Sequence, residues 1–445
     1  MPKRNRVFPT FTLTLDAIAG GGQTLGTLED GRKCFVWGGL PGEAVVVQST
    51  KLKSSLVEGI VTEVATPSSE RITPQDADSY LSTSPWQIMT FDAEQRYKSQ
   101  LISDAFALHH IELPNAPEIY SDEKLFGYRN KIEFSWYSDT DAISGVDTLD
   151  LAFFRRGSKG RIPVNGTSLA HPNINRLAQE IRDLLHAKSI SARQLKTLLI
   201  RCDEAGNCVW QLYTKDKISD IITSDEAAKF SAQGGEVIYS DPRSPASRIT
   251  ERLASFGDIT LRDTLSGTTF RYAAESFFQI NLPVYRHALT DIRAFVASDK
   301  PVIDLYSGVG TIGLTVTRAD QSLKLIEIND AAVAEMQHNI TALNRQNAKA
   351  ILAASETVTD LIDADSAVIV DPPRAGLHAD VVNRLLETAP ARIIYLSCNP
   401  VTQARDVQLL SGKYAITHTQ GYNFFPRTPH IEHLVILELL PSSLR

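Results

Sequence analysis

The chain holds no apolar run near the roughly 20 residues that a membrane-spanning helix needs. Sulfur is scarce too, with four cysteines and three methionines in 445 residues. So few cysteines exclude a disulfide scaffold and predict a reducing compartment, the cytoplasm. Internal repeats and low-complexity tracts are absent, which excludes collagen-like and solenoid folds. The opening Met1-Pro2-Lys3-Arg4-Asn5-Arg6 is basic, but alternating Thr and Leu follow instead of an apolar signal core. Nor does one sign of charge dominate: 45 Lys+Arg stand against 52 Asp+Glu, a net of −7. Residues 1–65 carry +1, residues 66–290 carry −4 and residues 291–445 carry −4. A polyanion-binding surface must therefore be local. One candidate is Phe153-Phe154-Arg155-Arg156-Gly157-Ser158-Lys159-Gly160-Arg161, with four cations and two aromatics. It reads either as a phosphate-gripping segment or as a solvated hairpin tip.

What is present is 43% apolar residues in a chain long enough for two or three domains. Residues 1–65 show short strands at regular spacing: Phe11-Thr12-Leu13-Thr14-Leu15, Cys34-Phe35-Val36-Trp37, Ala44-Val45-Val46-Val47 and Leu56–Val61. They predict a small OB-like barrel. A helix is expected over 92–109, with Phe91, Leu101, Ile102, Phe106 and Leu108 as apolar positions. Residues 66–275 read as a mixed α/β central domain, with a helix over Asn173–Lys188 and a hairpin around Glu204-Ala205-Gly206-Asn207. From 276 to 445 strands and helices alternate, the pattern of a parallel, Rossmann-like sheet wound with helices.

Val302-Ile303-Asp304-Leu305-Tyr306 is a strand, and Gly308-Val309-Gly310-Thr311-Ile312-Gly313 follows as G-x-G-x-x-G opening a helix. Glycines there let the backbone approach a ligand. The next strand ends in Glu327, placed to accept hydrogen bonds from ribose hydroxyls. A dinucleotide or S-adenosylmethionine would fit. With no second mononucleotide half, and with Asp304 suited to a cationic methionine group, S-adenosylmethionine is favoured. Ala367-Val368-Ile369-Val370 reads as a buried parallel strand. It ends in Asp371-Pro372-Pro373-Arg374-Ala375-Gly376-Leu377, whose prolines stiffen a loop at the carboxyl edge where sites gather.

Ser397-Cys398-Asn399-Pro400 caps the following strand. A thiol beside a helix start is expected to be held partly as thiolate. Cys34 falls within a barrel strand, and Cys202 and Cys208 face each other across a hairpin turn. No metal-ligand spacing is present; His430-Ile431-Glu432-His433 lies on a strand and lacks the helical spacing of a zinc site. It is read instead as bearing a catalytic carboxylate. These parts suit one chemistry. A thiolate adding to carbon 6 of uracil makes carbon 5 a nucleophile toward a sulfonium methyl group, and a base then removes the carbon 5 proton. Cys398 is the expected nucleophile, Glu432 the base, and Asp371 a group that orients the pyrimidine. The base would have to leave its stack. A methyltransferase of an exocyclic amine, suggested by Asp371-Pro372-Pro373, and a non-catalytic RNA-binding protein are the alternatives.

The set resembles the RNA 5-methyluridine methyltransferases. The likeness rests on Phe277-Phe278-Gln279-Ile280-Asn281, the segment Asp304–Gly310, Asp371–Gly376, Ser397–Pro400 and His430-Ile431-Glu432, in that order. Leu40-Pro41-Gly42-Glu43 extends it to an amino-terminal TRAM barrel, and Tyr128-Arg129-Asn130-Lys131 to the start of the family's central domain. The resemblance implies an S-adenosylmethionine site lined by Gln279, Tyr306, Thr311, Glu327 and Asp371, with Gly308 and Gly310 in its loop. It also implies Cys398 as nucleophile, Glu432 as proton acceptor, and a tRNA or ribosomal RNA substrate bound by a monomer, and it suggests that helix 92–109 packs on the catalytic domain. Many relatives carry a four-iron cluster. Here Leu81-Ser82-Thr83-Ser84-Pro85-Trp86-Gln87 and the stretch Asn165–His171 lack the cysteines, so no iron–sulfur cluster is expected.

Overall fold

The computed structural model describes residues 8–140 and 147–441, so the basic opening Met1–Arg6 lies outside the described residues. Five strands, Thr10–Ile18, Thr24–Thr27, Lys33–Trp37, Ala44–Leu52 and Leu56–Thr66, close into a barrel. Alternation sends Leu13, Leu15, Cys34, Val36, Val45, Val47 and Val57 inward, the period-2 rule of a strand with one wet face.

A seven-stranded sheet forms the middle. Its spatial order is Glu251–Gly257, Gly234–Tyr239, Cys208–Thr214, Leu195–Cys202, Lys131–Tyr137, Asp150–Phe154 and Arg161–Val164. The helix Pro172–Ala187 covers it, starting one residue before the expected Asn173 because His171 caps it and Pro172 suits its first turn. Ile174, Leu177, Ala178, Ile181 and Leu185 recur at helical spacing and are all buried. Strand register places Cys202 opposite Cys208, and the two are joined as a disulfide.

The largest sheet has eight strands, in the order Ala348–Leu352, Leu323–Glu327, Val302–Leu305, Ala367–Val370, Arg392–Ser397, Glu432–Leu439, Tyr414–Tyr422 and Ile119–Tyr120. The first five are parallel, and Glu432–Leu439 runs antiparallel beside Arg392–Ser397. Both faces are covered. Val302, Ile369, Ile394 and Ile436 face a core shared with the helices Leu282–Ala294 and Asp330–Ala342. Ile303, Val368, Val370 and Val435 face another, shared with Phe91–Ala107, Ala379–Thr388 and Pro400–Leu410.

Near 275, the second expected boundary, one hairpin packs between the two sheets. The hairpin Thr260–Leu265 and Thr268–Ala273 buries Leu261, Leu265, Phe270 and Tyr272 in a core that takes Leu199, Val209, Tyr213 and Ile238 from the central sheet and Val302, Ile369 and Ile394 from the eight-stranded one. Helix Phe91–Ala107 likewise packs on that sheet through Leu101, Ile102 and Phe106. Leu108 does not join them: it lies past the helix end and is 73% exposed. Alternation identifies a strand but not the core against which it folds. Among the described residues, no helix is long and apolar enough to cross a membrane.

Candidate active site

The carboxyl ends of the parallel strands open on a cavity of about 1020 Å³. Gln279, Tyr306, Gly308, Glu327, Asp371, Cys398 and Glu432 all line it, from segments scattered over 154 positions of sequence. Glu327 ends its strand, where Oε2 accepts from the Gly308 backbone N–H at 3.0 Å and Oε1 from that of Asn329 at 2.8 Å. Gly308 has φ of +57° with open space where a Cβ would sit, so a ligand can approach the bare backbone. Tyr306, also left-handed at φ +63°, holds a strained conformation at the cavity wall that no sequence signal announced.

Gly310 and Thr311, expected among the cofactor contacts, do not line the cavity. Gly310 is buried at φ +86°, making the turn, and the Thr311 hydroxyl is 2.8 Å from that of Tyr285. Asp304 serves the loop from below: it is buried, and its Oδ2 accepts from Gly313 N–H at 2.9 Å. Burial pushes its carboxyl up to about 8 against that hydrogen bond, with Asp371 and Glu327 adding to the rise.

The catalytic candidates are cross-braced. The Arg374 carbonyl accepts from Asn399 Nδ2 at 2.9 Å and from the Thr402 hydroxyl at 3.1 Å. Leu377 N–H donates to Asp406 Oδ2, which also holds the Tyr395 hydroxyl. The Asp371–Leu377 loop and the helix after Cys398 are thereby fixed to each other. Glu432 is buried, and its Oε2 has no partner among the described residues. Behind it, His433 Nδ1 and Gln403 Oε1 are 2.7 Å apart.

Electrostatics correct one expectation. Cys398 is not poised as a thiolate: burial pushes its thiol up to about 12, with Glu432 and Asp371 reinforcing and Arg374 opposing. The helix start was read without the two acids that outweigh it. Burial likewise lifts Asp371 to about 7. It raises Glu432 well above the ordinary carboxylate range, helped by Asp371 and opposed by Arg374. Two buried acids facing one cavity do not both ionise near neutrality.

Three supports escaped the sequence reading. Arg201, fully buried in the central sheet, donates to the carbonyls of Ser276 at 2.6 Å and Phe278 at 2.5 Å, holding the loop that carries Phe277 and Gln279. Glu94 and Lys98 on helix Phe91–Ala107 form a buried pair at 3.1 Å. Lys98 Nζ donates to Asn423 Oδ1, and Arg427 N–H donates to Glu94, pinning the segment that leads into Glu432. The third stands in the stretches that the resemblance singled out for cluster cysteines. Asp76 accepts from the Thr167 hydroxyl, from the Ser168 N–H and hydroxyl, and from Gln87 Nε2, which also donates to Ser84. Ser82, Ser84 and this network do not fit a cluster, and among the described residues no three His, Cys, Asp or Glu group as a metal site.

A mostly parallel sheet, closed by an antiparallel hairpin and bearing its site at the carboxyl edge, defines a Rossmann-like methyltransferase. The chain belongs to the tRNA (Uracil-5-)-methyltransferase family, whose model matches residues 92–439. It is 28% identical to an uncharacterized RNA methyltransferase of Nitratidesulfovibrio vulgaris, over 96% of each chain. It is also 28% identical to one of Enterococcus faecalis, covering 91% of this chain and 92% of that one. Its fold is similar to the crystal structure of Pyrococcus abyssi tRNA (uracil-54, C5)-methyltransferase in complex with S-adenosyl-L-homocysteine. The TM-score is 0.78 at 22% identity, covering 96% of this chain and all of that one.

Proposed function

We propose that this protein transfers a methyl group from S-adenosylmethionine to carbon 5 of a uridine in structured RNA, a tRNA or ribosomal RNA, through a covalent cysteine adduct. The observation that carries the reading is the convergence of Cys398, Glu432 and Asp371 in one cavity with Gln279, Tyr306, Gly308 and Glu327. The cavity has room for a nucleoside cofactor beside a pyrimidine. The open Gly308 backbone and the acid at Glu327 suit a ribose, and the unpartnered Glu432 Oε2 suits a reacting group. Glu327 would hold the ribose hydroxyls, and Gln279, Tyr306 and Asp371 the rest of the cofactor. When bound, S-adenosylmethionine supplies a methyl group on a positive sulfur.

Cys398 releases its thiol proton to solvent, its sulfur bonds to carbon 6, and the electrons of the C5–C6 double bond move onto the carbonyl as an enolate. That electron pair returns through carbon 5 to take the methyl group, whose bond to the positive sulfur would break and leave its electrons on a neutral thioether. Glu432 then removes the carbon 5 proton, the double bond reforms, and the C6–S bond breaks to give back the thiolate. One proton leaves with each methyl gained. Arg374 is the cation on this chain that favours the thiolate. The barrel is read as a TRAM-like RNA-binding module, and such substrates put the reaction in the cytoplasm.

Nucleoside mass spectrometry of tRNA and ribosomal RNA, from cells with and without the protein, tests the reaction. Loss of 5-methyluridine from one fraction supports it; no change in either overturns it. Glu432→Gln should accumulate a protein–RNA adduct on denaturing gels and Cys398→Ala should form none. Full activity in Cys398→Ala would turn the reading toward amine methylation.

A further inference from the structure

The loop joining Asp150–Phe154 to Arg161–Val164 belongs to a stretch with four cations and no acid in nine residues, and the active-site cavity uses none of them. The structure divides these cations by task. Arg156 is committed to packing: its guanidinium lies over the Trp37 ring of the barrel at 4.1 Å, and its Nε donates to the Leu81 carbonyl. Gly157, at φ +76°, sits so close to the barrel that a Cβ would come within 2.9 Å of Ile60 and 3.0 Å of Thr50. The loop also closes on itself, with Arg155 N–H donating to the Gly160 carbonyl and Gly160 N–H to the Ser158 hydroxyl.

A rigid tip clamped by one cation leaves the other three outward. Arg155, Lys159 and Arg161 are exposed, and none has an acidic partner among the described residues. Phe154 beside them is 58% exposed, with Arg161 over its ring at 5.1 Å. Lys215 extends the group: burial first, then the charge of Arg161, holds its ammonium below the ordinary range. Like charges gathered on one rigid tip with no acid in it, on a protein of net −7, imply an anionic ligand that supplies the counter-charge.

We propose that Arg155, Lys159 and Arg161, with Phe154, form a phosphate-gripping surface that holds a flanking part of the RNA substrate outside the catalytic cavity. The proposal rests on the RNA methyltransferase reading. Charged groups on a fixed frame take phosphates at defined spacing, while the exposed ring offers a stacking face.

The test is filter binding of an unmodified tRNA transcript to the full-length protein, between about 50 and 200 mM salt. The triple variant Arg155→Ala/Lys159→Ala/Arg161→Ala should bind about tenfold or more weakly at the lowest salt. Its slope of log affinity against log salt should fall by about two to three. Its thermal midpoint should stay at the wild-type value. The charge-matched control Arg243→Ala/Arg262→Ala/Arg318→Ala should keep the wild-type slope. An unchanged slope in the first variant, or an equal loss in the control, overturns the proposal. So does loss of binding to anionic lipid vesicles with RNA binding intact, which would make the tip a membrane contact. Binding is read without the reaction, so the two readings fail separately. A tip-dependent slope without uridine methylation sinks only the proposed activity; methylation with an unchanged slope sinks only this surface.

Discussion

Cys398 and Glu432 leave neighbouring antiparallel strands at the same step: Ser397 pairs with His433, and the next residue on each strand bears the thiol and the carboxylate. Sheet register alone thus brings together groups 34 positions apart in sequence. Burial first, and then the acids beside it, push the thiol above its ordinary range in the ligand-free protein.

Alkylation measures that effect. Without RNA, carbamidomethylation of Cys398, followed by peptide mass spectrometry, should be slow at pH 8 and still rising at pH 10. Asp371→Asn removes one of the raising charges and should speed it several-fold at a given pH, since each unit of thiol pKa is tenfold in thiolate. An equal or slower rate in the variant would refute the assignment.

Asp371 also has a cost in stability whose sign is fixed. Its carboxyl is raised from 3.8 to about 7 in the folded chain, so the native state holds an extra proton across that window. Stability from this group therefore falls as pH rises from about 4 to 7. Asp371→Asn should melt with wild type near pH 4 and above it at pH 8, by on the order of 2 kcal/mol in thermal or denaturant unfolding.

Arg201 acts on the cofactor side without touching the cavity. Lysine keeps the charge but not the fork that spans two carbonyls. Arg201→Lys should remain folded and weaken S-adenosylhomocysteine binding about tenfold by calorimetry, through a loosened Gln279 loop. Unchanged affinity would mean that the loop holds itself.

At Asp76, alanine strands several donors at once. Asp76→Ala should cost about 2–4 kcal/mol in denaturant unfolding. Incubating wild type with iron and sulfide without air should give no charge-transfer absorption, as Ser82 and Ser84 are poor iron ligands.

The glycine loop, Glu327, Asp371, Cys398 and Glu432 were legible because each stands next to an apolar run whose end the sequence marks. Arg201, Lys98 and Asp76 were not. Each works through a partner far along the chain: Arg201 through carbonyls 75 and 77 residues away, Asp76 through groups 91 and 92 residues away. A lone arginine in a strand or lysine in a helix carries no local sign of such a partner. The hairpin at 260–273 joins a core that both sheets share, and its pattern of inward residues does not announce that.

Lys98 finds Asn423 across 325 residues of chain. During synthesis the helix Phe91–Ala107 emerges long before the segment that receives its buried ammonium, and before the sheet its apolar face covers. The catalytic unit therefore cannot assemble from one end to the other as the ribosome proceeds. Its early helix must wait, uncovered, for the late strands to arrive. A nascent chain halted midway would leave that apolar face uncovered, the surface on which incomplete chains aggregate.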